Sequence, residues 1–522
     1  MRLASVFTDH MVLQAGKPIK IFGQGAGTLL VQFLNIKKEY TIAEEEWCVS
    51  FPEASYGGPY EMYFNLNGHE EVLKDVHIGE VWLACGQSNM ELPLFRTEYG
   101  LEEAAHSEND QIRFFTVPRR TKKDEPIFGW HAEKANGEDK PWQVCNEESA
   151  LHFSAIGYYV AKELQQKLGV AVGVISCNWG GTPIETYIKR DYFETSDCLK
   201  PELEKYQHML AELDWDAYEE AYRQSVLALE DYCKSIDYDE VEEVREKGVR
   251  ACIGEPKGTV PQMPDGPYTS KTAGCLYDSM ISRIAPFGVQ GVLWYQGESN
   301  HCDYYLEKYL VFMQCMRDTF ENQDLHFCAA ELAGYGYCND PGSLRQNTDN
   351  RFIYGNNIAL TREQQQRATE VGRNNYLATC MELGDYSDIH PIQKKPLAHR
   401  MTLKLLKYVY GFDIYADHPT FRSVEFKEGK AYIQLDHADG LYSRVLWAVK
   451  MYVADESHEL KRAQIKIEDD MLVLSCSAVP NPTIVHYAFD SYYLGYHIYN
   501  KAGLPLAPFR TDGRSCSYYS IT

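Results

Sequence analysis

The chain has 522 residues, of which 44% are hydrophobic and 24% charged, a length and balance that suit a soluble globular protein of two or three domains. With 51 Lys and Arg against 75 Asp and Glu it carries a formal charge of −24, which argues against nucleic acid or an anionic membrane surface as a partner. No apolar run approaches transmembrane length, and "MRLASVFTDHMVLQ" lacks the apolar core of a signal peptide, so the cytoplasm is the expected compartment. The 15 cysteines are scattered with no CxxC pair, and Cys85 and Cys177 sit inside apolar strand-like runs, a usage that favours a reducing environment over a disulfide framework.

Residues 17 to 75 alternate in short strand-like pieces, "KPIKIF", "LLVQFL", "EYTI", "WCVSF" and "YEMYFNL", parted by Gly and Asn turn signals. This predicts a small antiparallel sandwich. "GQGAG" at 23–27 leads into a strand-like run rather than a helix, so it reads as a turn and not as a nucleotide loop. From about residue 76 strands alternate with amphipathic helices. "AIGYYVAKELQQKLG" puts Ile156, Tyr159, Val160 and Leu164 on one face and stops at Gly169. "VAVGVISCNWGGT" and "GVQGVLWYQGESN" are apolar strands running into small and polar residues. "LAHRMTLKLLKYVYG" is a further helix, with Leu397, Met401 and Leu405 in register and Gly411 as its stop. This alternation predicts a parallel sheet covered on both faces. Residues 196–252, rich in Glu, Lys, Leu and Tyr, read as a helical insertion, and 413–522 return to strand-like segments such as "AYIQLD" and "MLVLSCS". The expected domains are therefore 1–75, 76–412 and 413–522.

In open parallel sheets, ligands bind beyond the carboxyl ends of the strands. Three predicted strand ends carry suggestive groups: Gly86 to Asn89, Asn178 to Thr182, and Gln296 to Asn300. A fourth segment, "LGDYSDIHP", sets His390 beside Asp388 and Asp385 just ahead of a helix. Serine is a poor nucleophile at neutral pH unless a base withdraws its proton and an acceptor orients that base. Backbone N–H groups at glycine turns, with a side-chain amide, can hold the developing oxyanion. Each part also has an ordinary explanation: Ser88 as an N-cap, Gly180-Gly181 as a tight turn, His390 as a loop residue, Glu298 as a helix-capping acid. Four such segments falling together at strand ends favour a serine esterase.

"GQSNM" after "DVHIGEVWLAC" resembles the nucleophile block of the sialate O-acetylesterase family, within the SGNH hydrolase superfamily. "NWGGTPIE", "GVLWYQGESN", "LTREQQ" and "LGDYSDIHP" are similar to its further blocks, in order. The resemblance reaches "FTDHMVLQ" near the N-terminus and "GLPLAPFRTD" near the C-terminus, and so covers nearly the whole chain. It implies an α/β fold: a three-layer α/β/α SGNH-hydrolase core, flavodoxin-like, with flanking β-rich domains. It also implies an enzyme that removes acetyl groups from a carbohydrate, O-acetylated sialic acid first, with Ser88 as nucleophile and His390 as general base. The implied oxyanion hole consists of the Ser88 N–H, a backbone N–H of Gly180 or Gly181, and the Gln296 amide. Gln87, Asn89 and Glu298, in the same blocks, are expected to contact substrate.

Superfamily members usually place the supporting aspartate three residues before the histidine. Here that position is Ser387, so the third member stays open among Asp388, Asp385 and a backbone carbonyl, in that order. Ala398 stands where relatives commonly carry Gly, a change that reads as helix packing. No cofactor or metal is implied, and the chain has no HExxH, paired CxxC or EF-hand loop. Two other readings stand beside this one. An acetylxylan or other plant-polysaccharide acetylesterase would share the blocks. A carbohydrate-binding protein with an inactive hydrolase core would not need the intact Ser88 and His390.

Overall fold

A computed structural model describes residues 2–122, 125–126, 140–235, 240–250, 260–300, 304–336, 357–493 and 495–512. The chain forms two compact units, one of residues 1–299 with 307–327, the other of 300–306 with 328–522.

The first unit opens with β1 (Ile19–Gln24), β2 (Gly27–Phe33), β3 (Ile36–Ile42), β4 (Glu46–Phe51) and β5 (Gly57–Leu66). β1 pairs with β4, and β2 lies between β3 and β5, all antiparallel, as the short alternating runs predict. In β4 the inward side chains are Trp47, Val49 and Phe51, the period-2 pattern of a half-covered sheet. β6 (His69–Gly86) behaves differently along its length. Up to Asp75 its burial is mixed and it runs antiparallel to β5, whereas every residue from Val76 to Gly86 is buried and the strand enters a parallel sheet. The change falls at Asp75, whose φ of 54° bends the strand.

Helix α1 (Ser88–Glu91) follows β6 directly. β7 (Asn109–Thr116), α2 (Ala155–Leu168), β8 (Val172–Asn178) and β9 (Gly291–Tyr295) complete the parallel layer, in the order β7-β8-β6-β9. A short strand, Gln143–Cys145, runs antiparallel along the outer edge of β7. α2 packs on β7 and β8; the Ser154 hydroxyl caps its start and Gly169, at φ 68°, ends it. Ile156, Tyr159, Val160 and Leu164 are all buried beneath it, as the helical pattern requires. The insertion is helical in α3 (Lys200–Glu212), α4 (Trp215–Ser235) and α5 (Glu240–Lys247); its residues 236–239 and 251–252 lie outside the described residues.

From β6 the chain crosses out to β7, returns through β8 and adds β9 on the opposite side, so the winding reverses at β6. Crevices for ligands open at such reversals, beyond the carboxyl ends. Those ends are in register: Gly86 is paired with both Asn178 and Tyr295.

In the second unit β10 (His326–Ala330) neighbours β11 (Asn375–Ala378), against which α6 (Asn357–Val371) and α7 (Lys394–Tyr408) pack. α7 begins at Lys394, ahead of the apolar pattern, because Pro396 is tolerated in a first helical turn. Gly411, at φ 72°, follows the end of the helix and closes its last turn. Beyond it come β12 (Thr420–Lys427), β13 (Lys430–Asp436), β14 (Met451–Ala454), β15 (Gln464–Glu468), β16 (Met471–Ser475), β17 (Ile484–Tyr487) and β18 (Phe509–Arg510). One sheet has the order β12-β13-β16-β15 and the other joins β14, β17 and β18. Ile433, Leu472, Leu474, Met451, Val453, Val485 and Tyr487 share one core.

Within α6 the buried Arg362 donates to four backbone carbonyls: Leu332 (2.6 Å), Ala333 (3.1 Å), Asp490 (2.7 Å) and Ser491 (2.8 Å). The next residue, Glu363, grips Arg510 at 2.9 and 2.8 Å. Among the described residues no helix is long and apolar enough to cross a membrane.

Gly86 has φ 144°, and a Cβ there would lie 2.2 Å from the Tyr295 carbonyl oxygen. Gly86→Ala is expected to destabilise the protein by about 3 kcal/mol or more. Gly169→Ala, with φ 68° and open space around it, should cost only about 1 kcal/mol. Urea midpoints of the two variants test this; a near-neutral Gly86→Ala would show that the strands do not close in this way.

Candidate active site

At the end of β6 the backbone turns through Gly86 into α1, whose N-cap is Gln87 and not Ser88. Ser88 is thus the first residue of the helix, partly exposed, between buried Gln87 and Asn89. The Gln87 N–H donates to Tyr295 O at 3.1 Å, tying the turn to β9. Its side chain makes no cap; Oε1 accepts from Gln296 Nε2 and from the Ser299 N–H, each at 3.2 Å. Gln296 is fully buried, and its Nε2 also donates to Thr182 O at 3.2 Å. Asn89 Nδ2 donates to Glu298 Oε1 at 2.5 Å. Glu298 lies in a turn.

The end of β8 comes to the same place. The Trp179 N–H donates to Gly86 O at 3.1 Å, and the buried Tyr187 hydroxyl donates to that same carbonyl at 2.6 Å. Trp179 therefore hangs from the residue that precedes Gln87, and Gly180 is brought against Ser88. A Cβ on Gly180 would lie 3.3 Å from Ser88 Cβ and 3.3 Å from Glu91 Oε2. That carboxylate accepts the Gly180 N–H at 2.7 Å and pairs through its other oxygen with Arg119. Gly181, at φ 72°, is exposed, with nothing near its missing Cβ. Burial pushes the Cys85 and Cys177 thiols up, so these nearby sulfurs stay protonated.

His390 and the two aspartates lie in the second unit. Asp385 Oδ1 accepts the Ser387 N–H (2.8 Å), the Ser387 hydroxyl (2.9 Å) and the Asp388 N–H (3.2 Å), and so shapes the loop. Asp388 Oδ1 accepts the His390 N–H at 2.8 Å and lies 3.6 Å from Nδ1, a charge contact longer than a hydrogen bond. The His390 side chain is 38% exposed. Behind the loop, Gly334 N–H donates to Met381 O (3.2 Å) and Gly336 N–H to Tyr386 O (3.0 Å). That backing segment begins at the two carbonyls held by Arg362.

Of the expected site residues, Gln87, Ser88, Asn89, Gly180, Gly181, Gln296 and Glu298 come together in the first unit, and Asp388 and His390 in the second. Glu91, Trp179 and Arg119 were not singled out from the sequence. Arg119 is the first of the two arginines that end the run "IRFFTVPRR", a further strand end whose basic residues were the available signal. Among the described residues no group of three or more His, Cys, Asp or Glu side chains is disposed to hold a metal ion.

The pairing of Asn89 with Glu298 has a testable consequence. Asn89→Asp would place two carboxylates in contact and raise the folded-state pKa of the pair. A raised carboxyl pKa gives stability below the unfolded value that is lost as pH rises. The Asn89→Asp protein should therefore weaken relative to the unsubstituted chain between pH 5 and 7.5, by roughly 1–2 kcal/mol in urea titrations. Equal losses at both pH values would exclude the contact.

Three comparisons bear on this arrangement. A family model described as carbohydrate esterase, sialic acid-specific acetylesterase, matches residues 263–376, a span that includes Gln296 and Glu298. Sialate O-acetylesterase of Rattus norvegicus is 24% identical over 447 residues, covering 78% of this chain and 74% of the relative. That of Homo sapiens is 23% identical over 457 residues, covering 78% and 71%. The crystal structure of a carbohydrate acetylesterase from Xanthomonas citri superimposes with a TM-score of 0.75 at 26% identity, over 98% of this chain and 99% of that one.

Proposed function

Because the chain belongs to the sialate O-acetylesterase family of carbohydrate esterases and is a carboxylic ester hydrolase, we propose that it removes O-acetyl groups from a sugar, O-acetylated sialic acid first, through an acetyl-serine intermediate. The observation that carries this reading is the approach of Gly180 to Ser88 where β6, β8 and β9 end in register. The names of the relatives support the substrate class, and the parallel layer with its helices supports a three-layer α/β/α hydrolase core.

In this reading His390 takes the Ser88 proton as Oγ attacks the acetyl carbonyl. The sugar leaves as an alcohol, receiving that proton, and water deprotonated by His390 then releases acetate and restores Ser88. The oxyanion is assigned to the Ser88 N–H and the Gly181 N–H, because the Gly180 N–H already serves Glu91. Gln296 joins them by giving up one of its two 3.2 Å bonds, both at the long end of the hydrogen-bond range. Asp388 is assigned to orient His390, since Asp385 Oδ1 is engaged three times within the loop.

Ser88→Ala should lower kcat on an aryl acetate by roughly 10³-fold or more without loss of fold. Near-normal turnover by that variant would remove the mechanism. The aspartates separate by the same assay. Asp388→Asn should lower kcat far more than Asp385→Asn, up to roughly 10⁴-fold. Mild effects of both, within about tenfold, alongside a severe His390→Ala would transfer the orienting role to a backbone carbonyl.

A further inference from the structure

In the second unit a cleft of about 440 Å³ is lined by Trp447, Lys450, Arg462, Tyr492, Tyr493 and Tyr496. Trp447 is 82% exposed and Tyr496 51% exposed. Single apolar side chains on a surface need no explanation, but rings gathered around a cleft mark a binding site. The backbone beneath fixes them. The Tyr493 hydroxyl accepts the Lys450 N–H at 2.6 Å and lies 3.1 Å from Lys450 O and 3.2 Å from Tyr496 O. One phenol thus ties the segment after Trp447 to the segment that carries Tyr496. Arg462 stands opposite Tyr452 in a short strand paired antiparallel with β14, and its Nη2 donates to Trp447 O at 2.6 Å.

The cleft adjoins the loop that carries His390. Tyr492 meets Tyr386 edge to face, with ring centroids 5.5 Å apart, and Tyr386 precedes Asp388 by two residues. The Tyr335 N–H donates to Ser491 O at 3.0 Å, and Arg362 holds the Asp490 and Ser491 carbonyls together with those of Leu332 and Ala333. One buried guanidinium therefore secures both the wall of the cleft and the segment behind the His390 loop. The described lining residues include two cations and no carboxylate, in a chain whose net charge is −24. Aromatic faces edged by lysine and arginine suit a sugar ring. Its C–H face packs on an aromatic ring, and its hydroxyl oxygens accept from the N–H donors beside it.

We infer that this cleft is a non-catalytic binding site for a sugar ring of a glycan chain, packed on Trp447 and Tyr496 and hydrogen-bonded by Arg462 and Lys450. Membership in a carbohydrate esterase family makes a glycan the ligand that the chain meets, and the Tyr492–Tyr386 contact makes the cleft continuous with a loop of the candidate active site. The inference does not require Ser88 to be the nucleophile. Sialylated glycans and plant xylo-oligosaccharides share the recognised chemistry, a pyranose ring with one C–H face and a rim of hydroxyls.

The test is isothermal titration of the full chain with 3′-sialyllactose and with xylotetraose, both free of acetyl groups so that no ester is turned over. One of the two should bind with a Kd of about 0.1–1 mM, and which one it is identifies the source of the glycan. Trp447→Ala and Tyr496→Ala should each weaken that binding by roughly tenfold or more. Trp447→Tyr, which keeps a ring at the position, should stay within about threefold. Both side chains are largely exposed, so their removal leaves no cavity in the core. Failure of both probes to bind at about 10 mM, or a Kd unchanged in both alanine variants, would overturn the proposal. So would a dimer in sedimentation runs that dissociates in Trp447→Ala, because the rings would then face a second copy of the chain. Failure of the Ser88 reading shows separately, as aryl acetate turnover by Ser88→Ala.

Discussion

The site depends on one place where two strands come too close for any side chain. At Gly86 the space for a Cβ is filled by the Tyr295 carbonyl, and the φ of 144° is one that glycine alone adopts readily. The adjoining groups are organised from there. The Gln87 N–H reaches Tyr295 O, while the Gly86 carbonyl receives the Trp179 N–H and the Tyr187 hydroxyl. Ser88 is thereby lifted to the head of α1 and Gly180 is laid against it. A short helix of four residues, weak by itself, is held by the backbone of three strands rather than by its own propensity.

Much of the remaining polar chemistry in the motifs is scaffolding. Gln14, from "FTDHMVLQ", accepts the Val81 N–H at 2.8 Å and donates to Glu80 at 3.3 Å, steadying the entry to the buried half of β6. Glu185, from "NWGGTPIE", is buried in an ion pair with Lys308. Arg362 and Glu363, from "LTREQQ", hold four carbonyls and Arg510, which itself belongs to "GLPLAPFRTD". A buried guanidinium with most of its donors satisfied rigidifies a loop junction that apolar packing would leave adjustable. Motif residues thus divide into those that lie around Ser88 and those that hold strands and loops of their own unit in place.

Glu91 connects the two groups. One carboxylate serves a backbone N–H of the Gly180 turn and a guanidinium just beyond β7, so the turn beside Ser88 and the segment that follows β7 are linked through a single side chain.

Local regularities were legible without the fold. The alternating runs from β1 to β5, the apolar face and glycine stop of α2, and the helical insertion all follow from periodicity and turn chemistry, which act within a few residues of chain. So does the placement of polar residues at the ends of β6, β8 and β9, since an apolar run that breaks into Gly, Asn and Gln marks a strand end wherever it lies. What the sequence could not distinguish was which polar partner each group would take. Gln87 rather than Ser88 is the cap, the Gly180 N–H turns to Glu91 rather than to open space, and Arg119 lies over Trp179 although 60 positions separate their numbers. Those choices were decided by the in-register closure of parallel strands, because hydrogen-bond partners are selected by distances of a few tenths of an ångström that only tertiary contact sets.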